Sequence, residues 1–259
     1  MMPRAKKSFS QNWLNDKSVI KKIIAAAEIQ TGEAVLEIGP GTGLLTEALV
    51  EAGASVTAIE MDVSLIEPLQ EKFGDRINLI EGDALAVADP LENISYKLIA
   101  NIPYAITSDI LYTFLTRTHK PTHLILMVQR EVADRILAKP PKMSLLSVMC
   151  QMYATCSKVT NVPRGAFRPI PKVNSAVIML ETKDAGDAES TITLAKQGFS
   201  SRRKQLHKNL SALPEIDSEM VKTWLTELGL DPRVRAENLT VDDWVRLTHM
   251  YSKNRRQNT

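Results

Sequence analysis

"VLEIGPGTGLLTEAL", residues 35–49, joins an apolar run of strand length to a helical pattern through glycines 39, 41 and 43. Glycines at a strand-to-helix junction let the backbone approach a ligand closely where the helix begins. The dinucleotide fingerprint needs its third glycine where Leu44 stands, and Pro40 removes one amide donor. The junction therefore suits a smaller group than a pyrophosphate.

Outward from this junction, "EAVLEIG", "SVTAIEMD", "INLIEGD", "KLIANIP" and "HLILMVQ" are each followed by helix-like sequence. Apolar runs alternating with amphipathic helices predict an α/β fold with a parallel sheet covered on both faces. The second run ends in Glu60, 21 residues after Gly39, where a carboxylate can chelate ribose hydroxyls. The third ends in "EGDAL" and puts Asp83 on the same rim; the fourth ends in Asn101-Ile102-Pro103-Tyr104. Open parallel sheets bind ligands outside the carboxyl ends of their strands, so these strand ends define one crevice. A tight turn needs no aromatic ring, and burial of Tyr104 requires a partner for its hydroxyl. This turn therefore reads as part of a site.

Further along, "REVADRILA" reads as a helix, "LLSVMCQMYATCSKVTNV" as a helix running into a strand, and Val173–Glu181 as a last strand. "TKDAGDAEST" is polar and aperiodic, as a linker is. Helical segments follow at Thr191–Leu210, Ser218–Leu228 and Val241–Tyr251, the last with Thr240 as N-cap. The expected division is a catalytic domain over 1–182 with a basic N-terminal segment 1–16, a linker over 183–190, and a helical domain over 191–259.

The net charge is +2, but residues 191–259 hold 12 Lys/Arg against 8 Asp/Glu. Basic clusters stand at Arg4, Lys6 and Lys7, in "SSRRKQLHKNL" and in "SKNRRQN". One such cluster is commonly a solvated face; three together favour a polyanion partner. No run has the length of a membrane span, the N-terminus lacks a signal-peptide core, and a cytoplasmic protein is expected. Cys150 and Cys156 have neither disulfide-framework nor zinc-site spacing, and Pro121 breaks the helix that would pair His119 with His123. No metal site is expected.

The ordered set E-x-G-x-G-x-G, Glu60, "GDAL" and "NIPY" resembles the class I S-adenosylmethionine-dependent methyltransferases, with their Rossmann-like sheet. Along nearly the whole chain, "KKSFSQNWLND", "VQREVADRI", "AFRPIPKVNSAV", "FSSRRKQLHKNL" and "RAENLTVDDWVRL" narrow the match. They resemble the ribosomal RNA adenine dimethyltransferases of the KsgA type, more than the Erm branch. The chain departs from that pattern at Ser10, Trp13 and Ala105, and in "KPPKMSL".

The resemblance implies S-adenosylmethionine as cofactor, with Asn12, Leu14 and Gly39 at its methionine end. Glu60 would hold its ribose, Asp83 its adenine, and Asn101 would link it to the substrate base. Asn101 and Pro103 would then align the target amine, with Tyr104 and Phe167 stacking on the base; for Phe167 ordinary core packing is the competing reading. The implied reaction is dimethylation of two adjacent adenosines in the 3'-terminal hairpin of 16S rRNA, within an immature small ribosomal subunit, by a monomer. Arg202, Arg203, Lys204 and Lys208 would contact phosphates. An Erm-like 23S rRNA methyltransferase, a DNA adenine methyltransferase and an assembly factor with little turnover are the alternatives.

Overall fold

A computed structural model describes residues 12–257, so the basic group at Arg4, Lys6 and Lys7 and the departure at Ser10 lie outside the described residues. The chain divides into two compact units, residues 1–133 with 155–182, and residues 134–154 with 183–259.

The first unit carries a seven-stranded sheet. Its strands are β2 (Ala34–Ile38), β3 (Ser55–Glu60), β4 (Ile77–Glu81), β5 (Tyr96–Asn101), β6 (His123–Gln129), β7 (Ala154–Val162) and β9 (Ser175–Thr182), in the order β4-β3-β2-β5-β6-β9-β7. The first five pair in parallel, as the sequence predicts. β9 differs: it lies antiparallel to β6, with His123 opposite Glu181 and Gln129 opposite Ser175. Nothing in its apolar run distinguishes that direction, because both faces are buried either way.

Alternation along the strands explains the two-sided cover. Val35, Ile99, Ile125 and Val177 join a core with Val19, Ile20 and Ile23 of α1 (Lys17–Ala27), Leu45 and Leu49 of α2 (Leu44–Glu51), and Leu65, Leu69 and Phe73 of α3 (Val63–Phe73). Leu36, Leu98 and Leu124 point the other way and are equally buried, as are Ile110, Leu111 and Phe114 of α4 (Thr107–Thr116). A separate two-stranded ribbon pairs β1 (Trp13–Leu14) with β8 (Phe167–Arg168), and Asn15 donates its N–H to the Ala166 carbonyl at 2.8 Å.

The second unit is helical. It contains α6 (Leu145–Tyr153), α7 (Ala188–Gly198), α8 (Leu206–Leu210), α9 (Ser218–Glu227) and α10 (Val241–Gln257), and α5 (Arg130–Ile136) leads into it. Trp244 is fully buried among Leu194, Leu206, Leu225 and Val148. Asp243 donates its N–H to Thr240 Oγ1, and Asp243 Oδ2 accepts from the Thr240 N–H, so Thr240 caps α10 reciprocally.

Two boundaries differ from the expected division. Residues 134–154 belong with the helices, because Met143, Val148 and Met152 are buried in the helical core and Met143 donates its N–H to the Glu237 carbonyl. The linker is also shorter than 183–190: Asp187 caps α7, and Ala188 is already buried. Nor is Thr191–Leu210 one helix, since residues 199–205 form a turn between α7 and α8. Asn209 fixes that turn by donating to the carbonyls of Gly198 and Ser201 at 2.6 and 3.0 Å.

Candidate active site

The crevice opens at the carboxyl ends of β2, β3, β4 and β5, where strand order reverses between β2's two neighbours. Its floor is the glycine turn. Gly43 has φ +72°, and a Cβ there would lie 2.5 Å from Cε2 of Phe73, so α2 can start this close to α3 only from a glycine. Gly41, at φ +59°, sits under the Trp13 ring, whose Cδ1 would be 3.1 Å from an added Cβ. The tryptophan that departs from the family pattern thus covers the glycine turn and lines the crevice.

Glu60, 5% exposed at the end of β3, braces the turn: Oε2 accepts from the Gly41 N–H at 3.1 Å and Oε1 from the Asp62 N–H at 2.8 Å. Burial raises its pKa, and the backbone donors work against that rise. Asp83 follows β4, and its Oδ1 accepts from the Leu85 N–H at 2.9 Å. From β5, Asn101 donates Nδ2 to the Asn12 carbonyl at 3.1 Å, which ties Asn12 to the crevice rim at the end of β5. Ile102 is buried, Pro103 carries no donor, and Tyr104 lies half-buried with its hydroxyl 2.7 Å from Ser175 Oγ. That bond answers the need set by the ring's burial, which also raises the phenol's pKa.

Asn12, Leu14, Gly39, Glu60, Asp83, Asn101, Pro103 and Tyr104 all line this one crevice. Phe167 does not. It is fully buried, opposite Leu14 in the β1–β8 ribbon and within the sheet core, so it presents no face to a base; core packing is its role in this structure. Arg202, Arg203, Lys204 and Lys208 belong to the helical unit and are exposed, the first three on the turn held by Asn209.

Glu37 is not among the expected site residues, yet it lines the crevice at 1% exposure with Oε2 unpartnered among the described residues. Burial pushes its carboxyl up to about 8; the Thr46 hydroxyl opposes this and the Glu60 charge adds to it. The signal is an acid inside the apolar strand AVLEI, flanked on both sides by paired strands. Three carboxylates and no Lys, Arg or His line the crevice among the described residues. Such a site suits a cation and repels a phosphate.

Residues 2–253 match the family model described as ribosomal RNA adenine dimethylase. The chain belongs to that family. It is 42% identical to the ribosomal RNA small subunit methyltransferase A of Thermosynechococcus vestitus, over 96% of this chain and 97% of the relative. The protein of the same name from Acaryochloris marina is 40% identical, over 95% and 97%. Among solved structures, a dimethyladenosine transferase from Plasmodium falciparum superposes with a TM-score of 0.79 at 28% identity, covering 93% of this chain and 98% of that one. The 23S rRNA methyltransferase ErmE superposes at 0.77 with 26% identity, covering 93% and 100%. The chain is an S-adenosylmethionine-dependent enzyme that dimethylates adenine in ribosomal RNA, and the unpartnered, cation-seeking Glu37 fits that cofactor.

Proposed function

We propose that the chain dimethylates the exocyclic amines of two adjacent adenosines in the 3'-terminal hairpin of 16S rRNA, as a cytoplasmic monomer acting on an immature small subunit. The observation that carries this reading is the Asn101–Tyr104 turn, set at the rim of an acidic crevice with its amide held by the Asn12 carbonyl.

The cofactor supplies an electrophilic methyl group on a sulfonium. Asn12, Leu14 and Gly39 are assigned to its methionine end, Glu60 to its ribose and Asp83 to its adenine. An adenine amine is a poor nucleophile because its lone pair is delocalised into the ring. With Nδ2 of Asn101 committed to Asn12, Oδ1 remains as an acceptor for one amine hydrogen, and the Ile102 or Pro103 carbonyl serves the other. The amine nitrogen then becomes more tetrahedral and its lone pair faces the methyl group. When bound, the cofactor would supply a methyl carbon for that lone pair and would leave as a neutral thioether, and the amine proton would pass to solvent without a histidine. Tyr104 stacks on one face of the extruded base, an interaction worth about 1–3 kcal/mol. Arg202, Arg203, Lys204 and Lys208 bind phosphates without reading sequence.

The test is incubation with methyl-labelled S-adenosylmethionine and unmethylated small-subunit particles, followed by mapping of the label. Four methyl groups on two adjacent adenosines are expected. Label on protein-free large-subunit RNA alone would support an Erm-like enzyme, and tight particle binding without label an assembly factor.

A further inference from the structure

Charge is segregated within the sheet-bearing unit. Residues 29–133 hold fifteen carboxylates against six Lys/Arg, whereas residues 12–28 and 155–174 together hold seven Lys/Arg against two carboxylates. These two basic segments are far apart in sequence and meet in space. Trp13 pairs with Arg168, the Asn15 N–H reaches the Ala166 carbonyl, and Lys22 donates to Thr160 Oγ1 at 3.3 Å. Arg164 opens the short helical turn that ends at Ala166, and Lys17 opens α1 two residues after Asn15, so both cations flank the same backbone bond.

Lys17, Lys21, Lys22, Arg164, Arg168 and Lys172 are all exposed, and none forms an ion pair with a described residue. Lys17 and Lys21 share one face of α1 at i, i+4 spacing, where like charges repel. The two carboxylates offset only part of this charge: the Asp16 carboxylate has Lys22 as its charge partner, which leaves Lys17, Lys21, Arg164, Arg168 and Lys172 without one among the described residues. Asp16 is engaged in capping α1 through Ser18, and Glu28 stands at the opposite end of that helix. Arg168 is held in place by Nη1 donating to the Gly165 and Phe167 carbonyls, and it lies opposite Trp13, which lines the crevice. Unneutralised cations clustered on one surface destabilise the empty protein and are offset when a polyanion binds.

We infer that the surface formed by the N-terminal half of α1 and the 164–172 segment is a phosphate track for the substrate RNA, leading from the crevice rim and lying on the catalytic unit itself. Its residues are other than those of the Arg202–Lys208 cluster, which belongs to the helical unit. The inference rests on the ribosomal RNA reading for its ligand, and no residue of the track needs to read sequence.

The test replaces Lys17, Lys21, Arg164 and Lys172 together by Gln in the full chain. Affinity is measured against salt for unmethylated small-subunit particles and for protein-free small-subunit RNA. The log–log slope should flatten by about 0.7–0.9 for each phosphate left without its cation, on both ligands. KM for particles should rise at least tenfold, while saturated turnover stays within about twofold and cofactor affinity does not move. Unchanged slope and KM would overturn the track. Flattening on particles but not on free RNA would overturn it too, in favour of an acidic protein partner. If the quadruple variant loses cofactor affinity or melts early, the pairs Lys17→Gln/Lys21→Gln and Arg164→Gln/Lys172→Gln decide on the same slopes. Failure of the wild-type chain to methylate particles would instead count against the functional reading, whatever the slopes.

Discussion

Replacing Glu37 by glutamine should change the pH dependence of both stability and cofactor binding. The carboxyl titrates near 8 in the folded chain against an ordinary 4.5. Between those values the folded state holds a proton that the unfolded state has released, so stability falls as pH rises through the window, by at most about 1.4 kcal/mol per pH unit. An amide of nearly the same shape has no such titration. Glu37→Gln should therefore gain on the wild type as pH climbs from about 5 to 8, with a widening difference in Tm. A cation bound against Glu37 favours the ionised carboxylate, so below about pH 8 binding must release a proton. Wild-type affinity for S-adenosylmethionine should then rise with pH by up to about tenfold per unit and level off above 8. The cofactor's own ammonium titrates in the same range, so the difference between the two proteins is the readout. Calorimetry in buffers of different ionisation enthalpy measures the proton released, and thermal melts measure stability. Parallel curves for the two proteins in both experiments would refute the argument that this acid is buried, neutral and facing the cofactor.

Glu60→Ala and Asp83→Ala should each weaken cofactor binding by about 10- to 100-fold in calorimetry, since a charged acceptor contributes about 1.5–3 kcal/mol; unchanged affinity in both would contradict the crevice assignment. Glu60→Ala should also lower Tm, because it leaves the Gly41 and Asp62 N–H groups without their acceptor, whereas Asp83→Ala releases only that of Leu85. Asn101→Ala should preserve the melting curve and cofactor affinity within a few-fold yet cut turnover about 100-fold or more. Normal turnover would make "NIPY" a turn and nothing else. Changing Arg202, Arg203, Lys204 and Lys208 together to Gln should weaken particle binding and reduce its salt slope while cofactor affinity holds; wild-type binding at every salt concentration would leave the cluster as ordinary surface.

The parallel core of the sheet and the strand-end crevice are legible in the sequence because each depends on local signals: apolar runs of fixed length, glycines at a junction, and an acid or amide at a strand end. What escapes depends on partners distant in sequence. The direction of β9 is set by its pairing with β6, some fifty residues away, and its apolar pattern is the same for either direction. "AFRPIP" resembles a substrate segment and so draws Phe167 toward the crevice, but Leu14 and the sheet core claim its ring. Residues 134–154 look continuous with the catalytic fold in sequence, and only the burial of Met143, Val148 and Met152 among the helices assigns them otherwise. Glu37 is visible as a letter inside an apolar strand, but its consequence needs the burial that leaves one carboxylate oxygen without a partner.

The near-neutral net charge conceals opposed fields that together serve the chemistry. A crevice lined by Glu60 and Asp83, with Glu37 able to ionise beside a cation, attracts a sulfonium and repels phosphate, so the RNA backbone gains nothing by entering it. The extruded base, by contrast, is uncharged, and in the proposed mechanism it would meet amide and carbonyl groups at Asn101–Pro103 and a ring at Tyr104. Cations placed inside the crevice would hold RNA there but would oppose the cofactor, and acids spread over the outer surface would oppose the RNA. An excess of carboxylates over residues 29–133, and exposed cations on the α1 and 164–172 surface and on the turn held by Asn209, keep the two requirements apart. On the proposed mechanism, the RNA backbone would thereby stay outside while a single base is presented to the methyl group.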